Sequence, residues 1–403
     1  MIFIYNIGIR LYYLAILIAS LWNEKARKWI QGRRGQQNLF SVSAQKNIWF
    51  HCASVGEFEQ ALPLLSLCCT LYPESPILTT FYSPSGYEYA QKKYPDLRIT
   101  YLPLDTPAAM QDFIVRVNPK MVFIIKYEFW YHLLKQLHRQ KIPLFLVAGI
   151  FRKDQLFFNG ILGAFPREML HFFSYIFVQN EQSKILLSGI GVQQVSVAGD
   201  TRFDRVAENK QADFVDPSIQ QFVSTDTIFV AGSVWNSDIP VLKRILSSLP
   251  TDWKVLIAPH EVGHFDTTWI AEPISSYQNP GDGSARIFLL DIVGILSKVY
   301  RYANFVYVGG GFGKGIHNIL EPAIYLKPVL IGPNFAKFQE AVDLVAAGCA
   351  FVVNTENIDF LIESELFDKI KREQLEIKMN AYMSANTNLS EKIMVYVSRY
   401  LDK

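Results

Sequence analysis

Residues 48–57 read Ile48-Trp49-Phe50-His51-Cys52-Ala53-Ser54-Val55-Gly56-Glu57. A short, mostly apolar run ends on small residues, and an acid follows in the first turn of what comes next. A half-exposed strand alternates polar and apolar residues, whereas this run is nearly continuous, as a strand buried on both faces requires. The same form recurs at residues 76–82, 99–104, 121–127, 143–149, 175–179 and 195–199. Segments with helical spacing, such as residues 106–117 and 129–140, lie between several of these runs. Strand, helix, strand in repetition predicts a parallel sheet with right-handed crossovers.

A polar stretch, residues 208–224, interrupts the alternation with Lys210, Gln211, Asp213, Asp216 and Pro217. The pattern restarts at 227–232 and continues at 254–258, 286–291, 305–308, 328–332 and 350–353. The expectation is two Rossmann-like α/β domains, residues 36–207 and 225–403, joined by a linker at 208–224. In such a pair the chemistry belongs at the carboxyl ends of the strands, in a cleft the domains face. A single (β/α)8 barrel fits less well, because the charged stretch falls midway.

Residues 1–35 stand apart. Residues 11–22 are apolar except for Ser20, and Asn6 and Arg10 lie just before them. A secretory signal would begin with basic residues and end at a small-x-small cleavage site, and neither is present. Tyr5, Tyr12, Tyr13, Trp22 and Trp29 suit an interfacial aromatic belt. The segment is expected to be a membrane-anchor helix, spanning or lying on the bilayer. The alternative is a helix packed on the protein's own core.

Half of the 403 residues are hydrophobic and 19% are charged, which excludes a disordered chain. The net charge of +2 hides an asymmetry. Residues 1–35 hold Arg10, Lys25, Arg27, Lys28, Arg33 and Arg34 against the single acid Glu24, so the remainder is slightly acidic. A mildly acidic body predicts no nucleic-acid partner. The basic block instead suits anionic headgroups, at about 1 kcal/mol per residue near the surface. The four cysteines, Cys52, Cys68, Cys69 and Cys349, show no metal-finger spacing and read as core residues in a reducing compartment.

Several strand ends carry unusual residues. Glu57 follows the first strand, and Glu128-Phe129-Trp130 follows the run at 121–127. Asp200-Thr201-Arg202-Phe203-Asp204 follows the run at 195–199. Each acid has a plainer reading as a helix cap, and Arg202 one as a surface ion pair. In the second half, Phe305-Val306-Tyr307-Val308 enters Gly309-Gly310-Gly311-Phe312-Gly313-Lys314-Gly315, with a helix expected from His317 or Asn318. Five glycines in seven residues let a backbone approach a ligand, and a helix start beyond them suits phosphate. His260-Glu261-Val262-Gly263-His264 matches HExxH by letters, but it follows a strand directly and contains Gly263, so no metal site is expected.

Taken in order, these motifs resemble the Kdo transferases, which add 3-deoxy-D-manno-octulosonic acid (Kdo) to lipid A precursor. The resemblance rests on residues 51–57, 127–130, 199–204, 231–233 and 258–261, and on Gly309 through Pro322. It implies a GT-B fold and an inverting glycosyltransferase of lipopolysaccharide biosynthesis, with no cofactor or metal. It implies CMP-Kdo as donor, lipid A precursor (lipid IVA) as acceptor, and catalytic domains on the cytoplasmic face of a bacterial inner membrane. Glu57 falls on the family's general base, and Glu128 and Arg202 on positions that stabilise the transition state. Pro259, His260, Gly294, Ile295, Leu296, Asn318, Ile319, Leu320 and Glu321 fall on the CMP-sugar site, beside Gly310 and Gly311. The family often has Lys where Arg202 stands, and Pro-Arg-His where this chain has Pro259-His260-Glu261. Two rival readings are a sugar-nucleotide epimerase of similar fold and a non-catalytic membrane-bound sugar-nucleotide binder.

Overall fold

The computed structural model describes residues 1–36, 43–223, 227–366 and 368–400. Ser224, the end of the expected linker, lies outside them. The chain divides into two compact units, Met1–Arg205 with Asn388–Lys403, and Val206–Thr387.

The first unit is built on seven parallel strands. They are β1 (Asn47–Cys52), β2 (Ile77–Phe81), β3 (Ile99–Tyr101), β4 (Pro119–Ile125), β5 (Leu144–Gly149), β6 (Tyr175–Val178) and β7 (Val195–Val197). Their order is β3-β2-β1-β4-β5-β6-β7, each pair parallel. The chain leaves β1 toward one edge and returns to β4 on the other side, so the order reverses between β1 and β4. Ligands of open α/β sheets bind at such a reversal. Helices cover both faces, which is why β1 and β5 are buried at every residue. One face buries Trp49, Val122, Ile124 and Leu146, and the other Phe50, Phe123, Phe145 and Val147. Each such side chain contributes about 1.5–3 kcal/mol on burial.

The second unit repeats the plan with β8 (Ile228–Val234), β9 (Lys254–Pro259), β10 (Ile274–Ser276), β11 (Ile287–Leu289), β12 (Phe305–Val308), β13 (Val329–Ile331) and β14 (Ala350–Val352). The order is β10-β11-β9-β8-β12-β13-β14, again parallel, and it reverses between β8 and β12. Sequence reading located every strand but β10, a three-residue edge strand of Ile-Ser-Ser with little apolar signal.

Three boundaries differ from expectation. The segment read as a linker is largely helical, Arg202–Gln211 and Pro217–Val223, with Ile219, Phe222 and Val223 buried. Its polar residues are the exposed sides of those helices. The division between units falls after Arg205. The C-terminal helix Leu389–Val397 belongs to the first unit, where buried Asp204 accepts from Leu389 N at 3.1 Å and from Ser390 N at 2.6 Å. An Asp204 carboxylate therefore caps a helix far away in sequence.

The N-terminal segment forms α1 (Ile2–Ala19) and α2 (Glu24–Gln36), both within the first unit. Helix α1 has a mean hydropathy of 1.8, and only 6% of it is buried. Tyr5 and Asn6 face the protein. Tyr5 Oη donates to Asp105 Oδ2 at 2.5 Å and accepts from Tyr131 N at 3.1 Å, and Asn6 Oδ1 lies 2.6 Å from His132 Nε2. Phe3, Ile4, Leu11, Leu14 and Ile18 remain exposed. Helix α2 lies close against the sheet edge, because a Cβ on Gly32 would come within 2.2 Å of the Tyr101 ring.

Candidate active site

The turn after β1 opens α3 (Val55–Leu71). Ser54 is its N-cap and accepts from Glu57 N at 3.4 Å. The Glu57 carboxylate reaches back to accept from Ala53 N, so it does satisfy a free donor at the helix start. The capping reading of Glu57 is therefore part of its geometry. Its electrostatics are not those of an ordinary cap. Burial, and then the Glu128 carboxylate, push the Glu57 carboxyl up to about 7, against the pull of the Ala53 N–H, His51 and Lys126. A helix start alone would have lowered it.

Glu128 follows β4, the strand beside β1, after a turn in which Lys126 has φ of 62°. Left-handed backbone at a non-glycine residue costs about 1–3 kcal/mol and persists only where the surroundings enforce it. Glu128 Oε2 accepts from Trp130 Nε1 at 2.6 Å and lies 3.5 Å from His51 Nε2. His51 is fully buried, with Nδ1 2.8 Å from Thr80 Oγ1. Sequence reading quoted His51 but gave it no role, since a buried strand histidine has no signature of its own.

Arg202 joins the same region through α3. Gln60, one turn beyond Glu57, donates to Asp200 Oδ1 at 2.7 Å, and Thr201 Oγ1 donates to Gln60 O at 2.6 Å. Asp200 Oδ2 accepts from Arg202 Nε at 2.8 Å and Nη2 at 2.6 Å. Burial opposes the Asp200 charge, but the Arg202 guanidinium and the hydrogen bonds hold its carboxyl below the usual range. The ion pair is not a surface one, because Asp200 is buried. Residues i and i+3 share a helix face, so Gln60 ties the helix that carries Glu57 to the Asp200–Arg202 pair.

In the second unit the chain after β8 and the chain after β12 meet at the reversal of strand order. Asp238 is fully buried and ties them together. Its Oδ2 accepts from Trp235 N at 2.8 Å and Gly310 N at 3.0 Å, and its Oδ1 accepts from Tyr307 Oη at 2.8 Å. Gly310 has φ of 89°, and a Cβ there would stand 2.5 Å from Gly315 O. A Cβ on Gly311 would meet Gly332 at 2.6 Å. The glycines are thus required by close backbone approach. His260, after Pro259 at the end of β9, stacks on Trp235 and on His317, with ring centroids 4.5 and 4.2 Å apart. Trp235 Nε1 donates to His317 Nε2 at 2.8 Å, and burial followed by His260 lowers the His317 imidazole to about 4. Stacked indole and imidazole rings beside a tight glycine turn offer a flat surface and close backbone approach for a nucleotide.

The remaining predicted residues divide. Asn318 Nδ2 donates to Glu321 Oε1 at 3.2 Å, and Glu321 raises the buried Tyr300 hydroxyl after burial itself. Gly294, with φ of 104°, and Ile295 lead into the short helix Leu296–Val299, just ahead of Tyr300. Ile319 and Leu320 have fully buried side chains, so only their backbone groups can serve a ligand. The helix expected from His317 or Asn318 is one short turn, Leu320–Ala323, with too few aligned peptides for a phosphate-binding dipole. Lys314 is exposed. Residues 260–264 form turns, with Gly263 at φ of 83°, so His260 and His264 do not share a helix face. No cluster of three metal-ligating side chains occurs among the described residues. Sequence reading did not assign Gln60, Trp235, Asp238 or His317; only Trp235 and Asp238, soon after β8, had the signal of a strand-end position.

Two Rossmann-like α/β units, each a parallel sheet whose strand order reverses once, make up a GT-B fold. A family model for 3-deoxy-D-manno-octulosonic-acid transferase (kdotransferase) matches residues 24–205. The 3-deoxy-D-manno-octulosonic acid transferase of Haemophilus influenzae is 24% identical over 407 residues, 96% of this chain and 94% of its own. That of Chlamydophila psittaci is 26% identical over 328 residues, 77% of this chain and 75% of its own. A bifunctional glycosyltransferase/methyltransferase of Fusobacterium nucleatum is 24% identical, but this chain spans only 51% of its length. The chain thus matches the Kdo transferase family model over residues 24–205, is similar over most of its length to Kdo transferases, and is a glycosyltransferase. In fold alone, it resembles a putative UDP-N-acetylglucosamine 2-epimerase from Listeria monocytogenes, with TM-score 0.62, 15% identity, and coverage of 89% and 97% of the two chains. It likewise resembles the UDP-GlcNAc 2-epimerase of Neisseria meningitidis, with TM-score 0.62, 16% identity, and coverage of 88% and 100%.

Proposed function

We propose that the protein transfers Kdo from CMP-Kdo to lipid A precursor with inversion, and that Glu57 is the general base. The observation that carries this reading is the Glu57 carboxyl pushed up to about 7, which leaves it about half ionised at neutral pH and basic enough to accept a proton. A sugar hydroxyl is a weak nucleophile until its proton is taken during attack. As the new C–O bond forms at the anomeric carbon, Glu57 accepts that proton and CMP leaves with the bonding electrons. Arg202, fixed by Asp200, and Glu128, fixed by Trp130 and His51, govern charge around the reacting carbon. A preorganised donor such as Arg202 is worth roughly 3–4 kcal/mol. Glu128 also keeps Glu57 basic by repulsion, a role that needs no contact with substrate.

The donor's nucleotide is assigned to the second unit. His260 beside Pro259 supplies a stacking surface, Gly310 and Gly311 let the backbone approach the ligand closely, and Gly294, Ile295, Leu296, Asn318, Ile319, Leu320 and Glu321 complete the site. No cofactor or metal enters the reaction. The exposed apolar side of α1 and the basic residues of α2 suit the cytoplasmic leaflet of a bacterial inner membrane. Tyr5 and Asn6 are hydrogen-bonded to the protein body, so α1 lies along the interface in this reading and does not cross the bilayer. The test is to incubate the protein with CMP-Kdo and lipid A precursor and weigh the product by mass spectrometry. A mass gain of whole Kdo units supports the reading. Unchanged acceptor alongside released CMP contradicts it.

A further inference from the structure

A partly open cavity of about 650 Å³ lies in the first unit, where α1 and α2 meet β3 and the helix Pro107–Val117. The described contacts of Glu57, Glu128 and Arg202 involve none of its lining residues. Its walls include Tyr13, Trp29, Ile30 and Phe113. Three arginines line it, Arg33, Arg34 and Arg116, and the one acid among the lining residues, Asp112, is already paired with Arg116 at 2.8 Å.

Arg33 is the telling residue. Its guanidinium sits 3.7 Å from the centroid of Trp29 and 4.8 Å from that of Tyr82. It donates to the carbonyls of Leu102 at 2.9 Å, Tyr82 at 2.9 Å and Trp29 at 3.3 Å. A guanidinium has five N–H donors, so two remain, and no carboxylate pairs with it among the described residues. Burial lowers its pKa to about 10. The indole N–H of Trp29, itself only 5% exposed, is also buried without an acceptor. Unmet donors and an unbalanced cation in an apolar cavity are costly unless an anion with several acceptor oxygens completes them.

We propose that this cavity binds one anionic phospholipid of the surrounding membrane. The phosphate meets Arg33 and Arg34, and the glycerol with the start of one acyl chain lies against Tyr13, Ile30 and Phe113. The volume falls in the usual range of ligand sites, and it admits a headgroup region, not a whole two-chain lipid. The lipid is the favoured source of phosphate because Tyr13 belongs to α1, whose exposed side is apolar. The bound lipid would fasten α1 and α2 to the membrane through one stoichiometric site in addition to general surface charge.

The test uses the full chain in nanodiscs of mixed phosphatidylcholine and phosphatidylglycerol, followed by native mass spectrometry of the released protein. One retained phosphatidylglycerol per chain is expected. Ala109→Trp fills the cavity from the helix Pro107–Val117, and Arg34→Gln removes an exposed charge. Each should lower retention about tenfold, equivalent to 1.4 kcal/mol. Circular dichroism checks that both variants fold, and Arg34→Gln carries the test if the bulkier change does not. No stoichiometric lipid, equal retention of phosphatidylcholine, or unchanged retention in a folded variant would overturn the proposal. So would equally tight binding of soluble glycerol phosphate, or stoichiometric displacement by lipid A precursor, which would make the cavity part of the acceptor site. Lipid retention is read without turnover, so its failure is distinct from failure of the proposed transfer reaction.

Discussion

Asp200 Oδ2 accepts from Arg202 Nε at 2.8 Å and Nη2 at 2.6 Å, and the acid is only 7% exposed. The carboxylate thus fixes both the place and the orientation of the only cation proposed for the first unit's chemistry. Arg202→Lys keeps the charge and loses the fork. It should retain transfer within about tenfold, while Arg202→Ala loses about 10²–10³-fold. Asp200→Asn should cost about 3 kcal/mol, near the low end for breaking a buried pair, because Arg202 keeps some contact with water. Steady-state rates and urea unfolding measure the two effects.

The pH dependence follows from Glu57. Transfer should fall as pH drops through about 7, because the base becomes protonated. Stability moves in the opposite sense. A carboxyl whose folded value lies above its unfolded one of 4.5 takes up a proton on folding, so this residue favours the fold most below pH 4.5. That contribution is lost as pH rises through 7 and reaches roughly 3 kcal/mol. Comparing the urea midpoints of wild type and Glu57→Gln at pH 5 and pH 8 checks the sign. The difference should shift toward the Gln variant at pH 8, and a shift the other way would refute the raised value.

Gly310→Ala places a Cβ 2.5 Å from Gly315 O at a residue with φ of 89°. The glycine turn must move, and the Gly310 N–H to Asp238 bond moves with it. The expected cost is about 1–3 kcal/mol in stability, with a larger loss of CMP affinity than of acceptor affinity. Calorimetric titration with CMP and thermal unfolding separate the two.

Turnover should survive excess chelator. The only metal-like motif, His260 to His264, is broken by turns, and the proposed reaction uses Glu57, Arg202 and backbone donors in its place. Activity lost on chelation and restored by a divalent ion would sink this part of the account.

The strands were legible because burial on both faces leaves near-continuous apolar runs, as in Met121 to Ile125. Strand β10 was not, since Ile-Ser-Ser at a sheet edge carries almost no such signal. Residues 208–224 misled for the reverse reason: surface helices show polar residues just as linkers do. Position after a strand was enough to single out Glu57, Glu128 and Arg202. It did not reveal what tunes them. The raised Glu57 carboxyl depends on burial and on Glu128, which is distant in sequence, and Arg202 depends on the Gln60–Asp200 bond between α3 and the chain after β7. The tail was half legible, because the interruptions Tyr5 and Asn6 looked like flaws in an apolar run but serve as its attachment to the protein.

The most direct measurement is the single-turnover rate of Glu57→Gln with saturating CMP-Kdo and lipid A precursor, paired with calorimetric CMP-Kdo binding. Glutamine keeps the side chain's size and still accepts from Ala53 N, but it cannot take a proton from the attacking hydroxyl. The account predicts a rate loss of about 10²–10⁴-fold with donor affinity nearly unchanged. A Gln variant that turns over at the wild-type rate would contradict it, leaving Glu57 as a helix cap and Glu128 as the next candidate for the base.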